Sequence, residues 1–197
     1  FNPKIPENYQ DCKYLMLANL MPSIQLDAIN KLHRKPKLIV TDTMNYWMDN
    51  CLDDLKAVIS KTNILIINDE EALQLSDEKT IFDAANKIQK MGPDYLIIKR
   101  GADGATLFFN EKTFQCPSFS VDECIDPTGA GDTFAGAFVG HLNNTDDLSF
   151  DNMKIAVIQA CAMASFCVEN FGVENIINKT RSQIDVRINL LKNMREN

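Results

Sequence analysis

The stretch Asn63-Ile64-Leu65-Ile66-Ile67-Asn68-Asp69, NILIIND, decides the fold. Its four central residues are aliphatic with no polar alternation, the pattern of a short strand buried on both faces. Helical segments follow it, EEALQLS and EKTIFDAANKIQKM, and the same arrangement repeats on either side. Upstream, KLIVTD at 37–42 is entered through Pro36 and leads into MDNCLDDLKAVISK, which offers Leu52, Leu55, Val58 and Ile59 to one helical face. Before that, strand-like KYLMLANL at 13–20 precedes SIQLDAINKLHR, where Ile24, Leu26, Ile29 and Leu32 approximate a helical stripe behind Pro22. Downstream, DYLIIKR at 94–100 follows the stop signal Gly92-Pro93. Four apolar strand cores separated by helices predict an α/β fold, a three-layer αβα sandwich around a mainly parallel, Rossmann-like sheet.

The rhythm then changes. GATLFFNEKTFQCPSF reads as a hairpin with Asn110-Glu111 at its tip, and SVDECID as one more strand. The remainder is helical: AGAFVGHL, then SFDNMKIAVIQACAMASFCVEN, then TRSQIDVRINLLKNM. The middle helix is apolar on nearly every side and is expected to be buried. No internal linker or low-complexity tract interrupts the chain, so residues 1–197 are expected to form one domain.

Composition narrows the function classes. A chain of 197 residues with 45% hydrophobic content can bury a core and is not disordered. A net charge of −7 argues against a general nucleic-acid or anionic-membrane surface. None of the six cysteines forms a C-x-x-C pair and several lie in apolar runs, which predicts reduced thiols and a cytoplasmic setting. No apolar span is long enough to cross a bilayer, and two histidines cannot build a histidine-rich metal site. The chain opens FNPKIPENYQ without an initiator Met, which fits a processed product, a designed chain or a fragment.

The chemistry-bearing motif is DPTGAGDTF at 126–134, immediately before an apolar helix. Glycines permit tight turning and close backbone approach. A helix starting near Ala130 would offer first-turn N–H groups with partial positive charge, a natural seat for phosphate, with Asp132 in the same turn. Three readings stand. Asp126 or Thr128 is simply a helix cap; the turn holds phosphate without chemistry; or Asp132 takes the proton from a substrate hydroxyl while the helix start stabilises transferring phosphoryl charge. The motif is neither a P-loop nor a dinucleotide fingerprint, since both require different glycine spacings.

With that motif, the sequence resembles the ribokinase-like, or PfkB, family of carbohydrate and nucleoside kinases. DPTGAGDTFAGAFVG resembles the family's C-terminal signature, supported by DTMNYW at 42–47, INDEEA at 67–72, KRGADGATLF at 99–108 and ASFCVENFGVE at 164–174. Together these segments resemble bacterial adenosine-kinase-like sugar kinases. The resemblance implies transfer of the γ-phosphoryl group of ATP to a hydroxymethyl group of a sugar or nucleoside. It implies Asp132 as base and Gly129, Ala130 and Gly131 as the anion hole.

Asn68 and Glu71 resemble the family's N-x-x-E element, with Glu71 acting on Mg²⁺ through water; a plain helix cap at Asn68 explains them as well. Gly101 and Gly104 match glycines that line the nucleotide. Lys99 stands where the family commonly has Thr, and either Lys99 or Arg100 would be the phosphate contact, while an ordinary surface pair is the alternative. Cys161 and Ala164 fall on the helix that lines the adenine pocket. Asp126, with the backbone at Thr128, resembles part of a monovalent-cation site, so K⁺ joins ATP and Mg²⁺ as an optional cofactor.

The resemblance covers only the later two thirds of a family member. Its sugar-contacting aspartate, paired-glycine segment and β-sheet lid precede the matched region. The expectation is a ribokinase-like fold lacking the N-terminal part and lid, with nucleotide binding retained and transfer weak. Cover for its exposed edge would come from a second copy or from the preceding portion. A nucleotide sensor or a structural module on the same scaffold is the alternative.

Overall fold

The structure is a computed structural model and describes residues 2–194. It divides into two compact units, residues 1–98 with 108–111 and residues 99–107 with 112–197.

In the first unit the chain runs β1 (Tyr14–Leu17), α1 (Pro22–Asn30), β2 (Leu38–Asp42), α2 (Asn45–Asn50), α3 (Leu52–Ile59), β3 (Ile64–Asn68), α4 (Asp69–Ser76), α5 (Ile81–Gln89) and β4 (Tyr95–Lys99). The strands lie in the order β1-β2-β3-β4, with β1, β2 and β3 parallel. Each parallel step needs a crossover, and the helices supply it. Ile64, Leu65, Ile66 and Ile67 are fully buried, as the unbroken apolar run requires. Leu65, Ile67, Leu96 and Ile98 share one face and pack with Leu55 and Ile59 of α3, Ala72 of α4 and Ala84, Ala85 and Ile88 of α5. On the same face at the β1 side, Leu17, Ile39 and Val58 form a second cluster. Tyr14, Leu15 and Met16 of β1 are only half-buried, and Leu20 and Met21 just beyond it are exposed.

The segment MDNCLDDLKAVISK does not form one helix. Cys51, at φ −143° and ψ 37°, leaves helical geometry and separates α2 from α3. Its amide still bonds the Trp47 carbonyl at 2.9 Å, so that donor stays satisfied at the break.

The second unit contains β5 (Ala105–Phe109, whose last two residues belong to the first unit), β6 (Lys112–Cys116), α6 (Ala130–Thr145), α7 (Phe150–Cys167), α8 (Glu174–Ile177) and α9 (Arg181–Asn193). Asn110 turns the β5–β6 hairpin at φ 51°, as its place at the tip predicts. Eleven residues of α7 are buried, which accounts for its all-round apolar sequence. SVDECID forms no strand: the Ile125 and Asp126 amides bond the Val168 carbonyl instead of a ladder partner. The short helix α8 carries no sequence periodicity that would announce it. Among the described residues, no helix is long and apolar enough to cross a membrane.

Candidate functional site

The first unit places Asn68 at the carboxyl end of β3, where open α/β sheets gather ligands. The Glu71 amide donates to Asn68 Oδ1 at 2.7 Å, and the Asn68 amide donates to Glu71 Oε2 at 2.8 Å. This reciprocal capping box satisfies two donors at the start of α4 and holds the Glu71 carboxylate in one place, 6% exposed.

Asp42, which sequence reasoning passed over, ends β2 with a buried side chain. Its pairing with Ile66 sets it on the sheet face shared by Ile66 and Asn68. The buried hydroxyl of its neighbour Thr43 lacks a hydrogen-bond partner among the described residues. A carboxylate closing an otherwise apolar strand was the signal available in KLIVTD.

In the second unit, Lys99 and Arg100 lead into a one-turn 3₁₀ helix, Gly101–Asp103, closed by Arg100 N–H to Gly104 O at 2.7 Å. Arg100 is engaged with Asp103, Nη2 to Oδ2 at 3.0 Å. Lys99 behaves differently: its Nζ lies 3.1 Å from where a Cβ on Gly131 would stand. A Cβ there would crowd the end of the flexible Lys99 side chain by only a few tenths of an ångström. Gly101 and Gly104 also differ. A Cβ on Gly101 would meet nothing within 4 Å, whereas one on Gly104 would fall 2.0 Å from the Cys116 carbonyl oxygen.

Helix α6 begins with Gly129 as N-cap at φ 79° and ψ 0° and has no side-chain cap. The Ala130 amide bonds Pro127 O at 3.1 Å and the Thr133 amide bonds Gly129 O at 2.8 Å. Among the described residues, the Gly131 and Asp132 amides have no such partner, so the helix start presents free donors. Asp132 is the third residue of that first turn and is exposed.

The loop beneath is fixed from α7. Val168 O accepts from the Ile125 and Asp126 amides at 2.8 and 3.3 Å, and the Cys167 thiol donates to Thr128 O at 3.5 Å. Asp126 Oδ1 accepts from the Thr128 amide at 2.9 Å. That backbone bond, joined by one from the Thr128 side chain, holds the Asp126 carboxyl below its ordinary range.

Ala164 is half-buried on α7, while Cys161 is buried. A hydrogen bond with Cys116, and then burial, push the Cys161 thiol well above its ordinary value. Its sulfur is therefore turned into the packing against β6. Among the described residues, no group of three or more His, Cys, Asp or Glu could hold a metal ion. The donor set fits a hydrated Mg²⁺ carried largely by phosphate and water rather than a protein cage.

The first unit thus has a capped carboxylate at a strand end, and the second has an uncapped helix start beside a lysine. The family described as pfkB family carbohydrate kinase matches residues 9–181, and the chain belongs to that family. It is 30% identical over 139 residues to a cytidine kinase of Thermococcus kodakarensis, covering 68% of this chain and 49% of that protein.

Among solved structures, the nucleoside kinase of Methanocaldococcus jannaschii, an archaeal member of the ribokinase family, superposes with a TM-score of 0.74 at 23% identity. That match covers 96% of this chain and 59% of the other. The aminoimidazole riboside kinase of Salmonella enterica, complexed with aminoimidazole riboside and an ATP analogue, gives 0.70 at 21% identity, over 89% and 64%. Both likenesses establish a ribokinase fold. The chain spans about half the length of the curated relative, 49%.

Proposed function

We propose that this chain carries the donor-handling part of an ATP-dependent phosphotransferase whose acceptor is a hydroxymethyl group of a sugar or nucleoside. The observation that carries the reading is the uncapped start of α6, with free Gly131 and Asp132 amides beside Lys99 Nζ. Gly129, Ala130 and Gly131 form the anion hole, and Asp132 orients the acceptor hydroxyl and takes its proton. Lys99 supplies a point charge to the phosphates, while Arg100, paired with Asp103, acts from the edge of the turn. Gly101 and Gly104 shape the nucleotide-binding turn, and Ala164 together with the wall containing Cys161 lines the base pocket.

When bound, Mg²⁺ neutralises charge on the donor phosphates. Asn68 and Glu71 would hold its water shell. Asp126, kept ionised by Thr128, suits a monovalent cation such as K⁺. In this reading the acceptor pocket and its water-excluding cover reside in the additional length that relatives possess, together with association through the β1 edge or a second copy. An adenosine-kinase-like acceptor preference is the finer form of the proposal. A nucleotide sensor would need the same helix start and no acceptor position beside Asp132; a purely structural turn is disfavoured because no side chain caps it.

Calorimetric titration with MgATP, followed by ADP release over a panel of pentoses, hexoses and nucleosides, tests the proposal. MgATP binding with weak or no acceptor-dependent ADP formation is expected of this chain, and a chain that fails to bind MgATP overturns the proposal. Glu71→Gln separates the cap from the cation role. Gln can still accept the Asn68 amide, so stability should change by no more than about 1 kcal/mol. The Mg²⁺ concentration for half-maximal nucleotide binding should rise severalfold, and an unchanged Mg²⁺ requirement would leave Glu71 as a cap alone.

A further inference from the structure

Arg187 lies on α9, outside every motif that points to phosphate, yet its side chain is only 13% exposed. Its guanidinium stacks over the Phe166 ring at 3.5 Å and faces the Phe119 ring at 4.3 Å. One fork nitrogen donates to Ser165 Oγ at 3.0 Å and the other to Glu169 Oε1 at 2.7 Å. Asn175 completes the knot, with Nδ2 donating to Phe166 O at 2.6 Å and to Glu169 Oε2 at 3.3 Å. A planar fork is needed to stack between two rings and bond in two directions at once, which Lys cannot do.

All of these partners sit on the last turn of α7 or beside it. That turn is also where the phosphate loop is fixed. Cys167 and Val168, between Phe166 and Glu169, make the three bonds to Ile125, Asp126 and Thr128. The first-turn amides of α6 follow directly from that loop through Gly129. Their aim therefore depends on where the end of α7 stands, and Arg187 ties that end to α9 through Ser165, Phe166 and Glu169.

We infer that Arg187 is a positioning residue for the anion hole, acting through the last turn of α7; the inference rests on the phosphate-transfer reading above. The γ-phosphoryl group is the part of the donor that the anion hole receives. Preference for MgATP over MgADP thus reports the hole's geometry, while a general loss of stability would weaken both nucleotides alike.

The test compares Arg187→Met and Arg187→Lys with the unmodified chain by calorimetry, well below each unfolding midpoint. The unmodified chain should prefer MgATP, Arg187→Met should lose about tenfold of that preference, and Arg187→Lys should fall between them. A preference retained in Arg187→Met overturns the inference and leaves the phosphate-transfer reading standing. Absence of any preference in the unmodified chain overturns the reading and the inference together. Should Arg187→Met fail to fold, Glu169→Gln is measured instead: it keeps an acceptor for the fork but removes the charge. An intermediate loss of preference there supports the inference, and an unchanged preference overturns it.

Discussion

In a chain of its relatives' full length, Asp132→Asn should lower phosphoryl transfer by roughly 10²–10⁴-fold while MgATP affinity moves less than about threefold. The substitution preserves size, leaves the Asp132 backbone amide in place and removes only the proton acceptor. Loss of a negative charge beside the donor phosphates can even tighten nucleotide binding slightly. One objection is that a helix N-terminus stabilises a carboxylate's ionised form and so makes it a weaker base. Phosphoryl transfer through a loose transition state asks little of the base until the nucleophile is well into bond formation, so placement matters more than basicity. ADP release with and without acceptor, measured beside calorimetric MgATP binding, separates the two effects. Transfer that survives within about threefold would remove Asp132 from the chemistry and favour a nucleotide sensor.

The sequence was most legible where one physical requirement dominated. Runs such as LIVTD and ILIIN can satisfy their burial only inside a parallel sheet, and β2 and β3 form there. The start of α6 was legible for a similar reason: glycines before an apolar run leave few other backbone outcomes. Legibility failed where two outcomes share one pattern. MDNCLDDLKAVISK has a continuous helical stripe, and nothing in it marks Cys51 as the residue that leaves helical geometry.

Consecutive Lys99 and Arg100 were likewise indistinguishable in sequence, although their side chains go different ways, Arg100 to Asp103 and Lys99 toward Gly131. Asn68 and Glu71 read from sequence as either a cap or a cation site, and the capping box is present. Arg187 left no local trace at all, because its partners Phe119, Phe166 and Glu169 are distant in sequence.

Gly101 and Gly104 pose the same problem in its sharpest form, and their substitution should give the largest stability contrast in the chain. At Gly104, with φ 88°, an added Cβ would stand 2.0 Å from Cys116 O, 2.5 Å from Pro117 C and 2.6 Å from Ser118 N. All three are backbone atoms, so no rotamer change relieves the overlap, and the chain after β6 must move away from the start of β5. Backbone strain of about 1–3 kcal/mol adds to an overpacking cost of similar size, so Gly104→Ala should cost roughly 3–5 kcal/mol.

For a chain of this length that corresponds to a fall of roughly 6–20 °C in the unfolding midpoint. At Gly101, φ is 51° and the space is open, so Gly101→Ala should cost only about 1–2 kcal/mol, the ordinary penalty of a left-handed residue. Thermal unfolding of the two variants side by side decides the matter. Equal midpoints would mean that the Gly104 contact with Cys116 and Pro117 does not constrain the fold. With the expected contrast, Gly101→Ala is the cleaner probe of the proposed nucleotide turn, because a loss of MgATP binding there could not be assigned to unfolding.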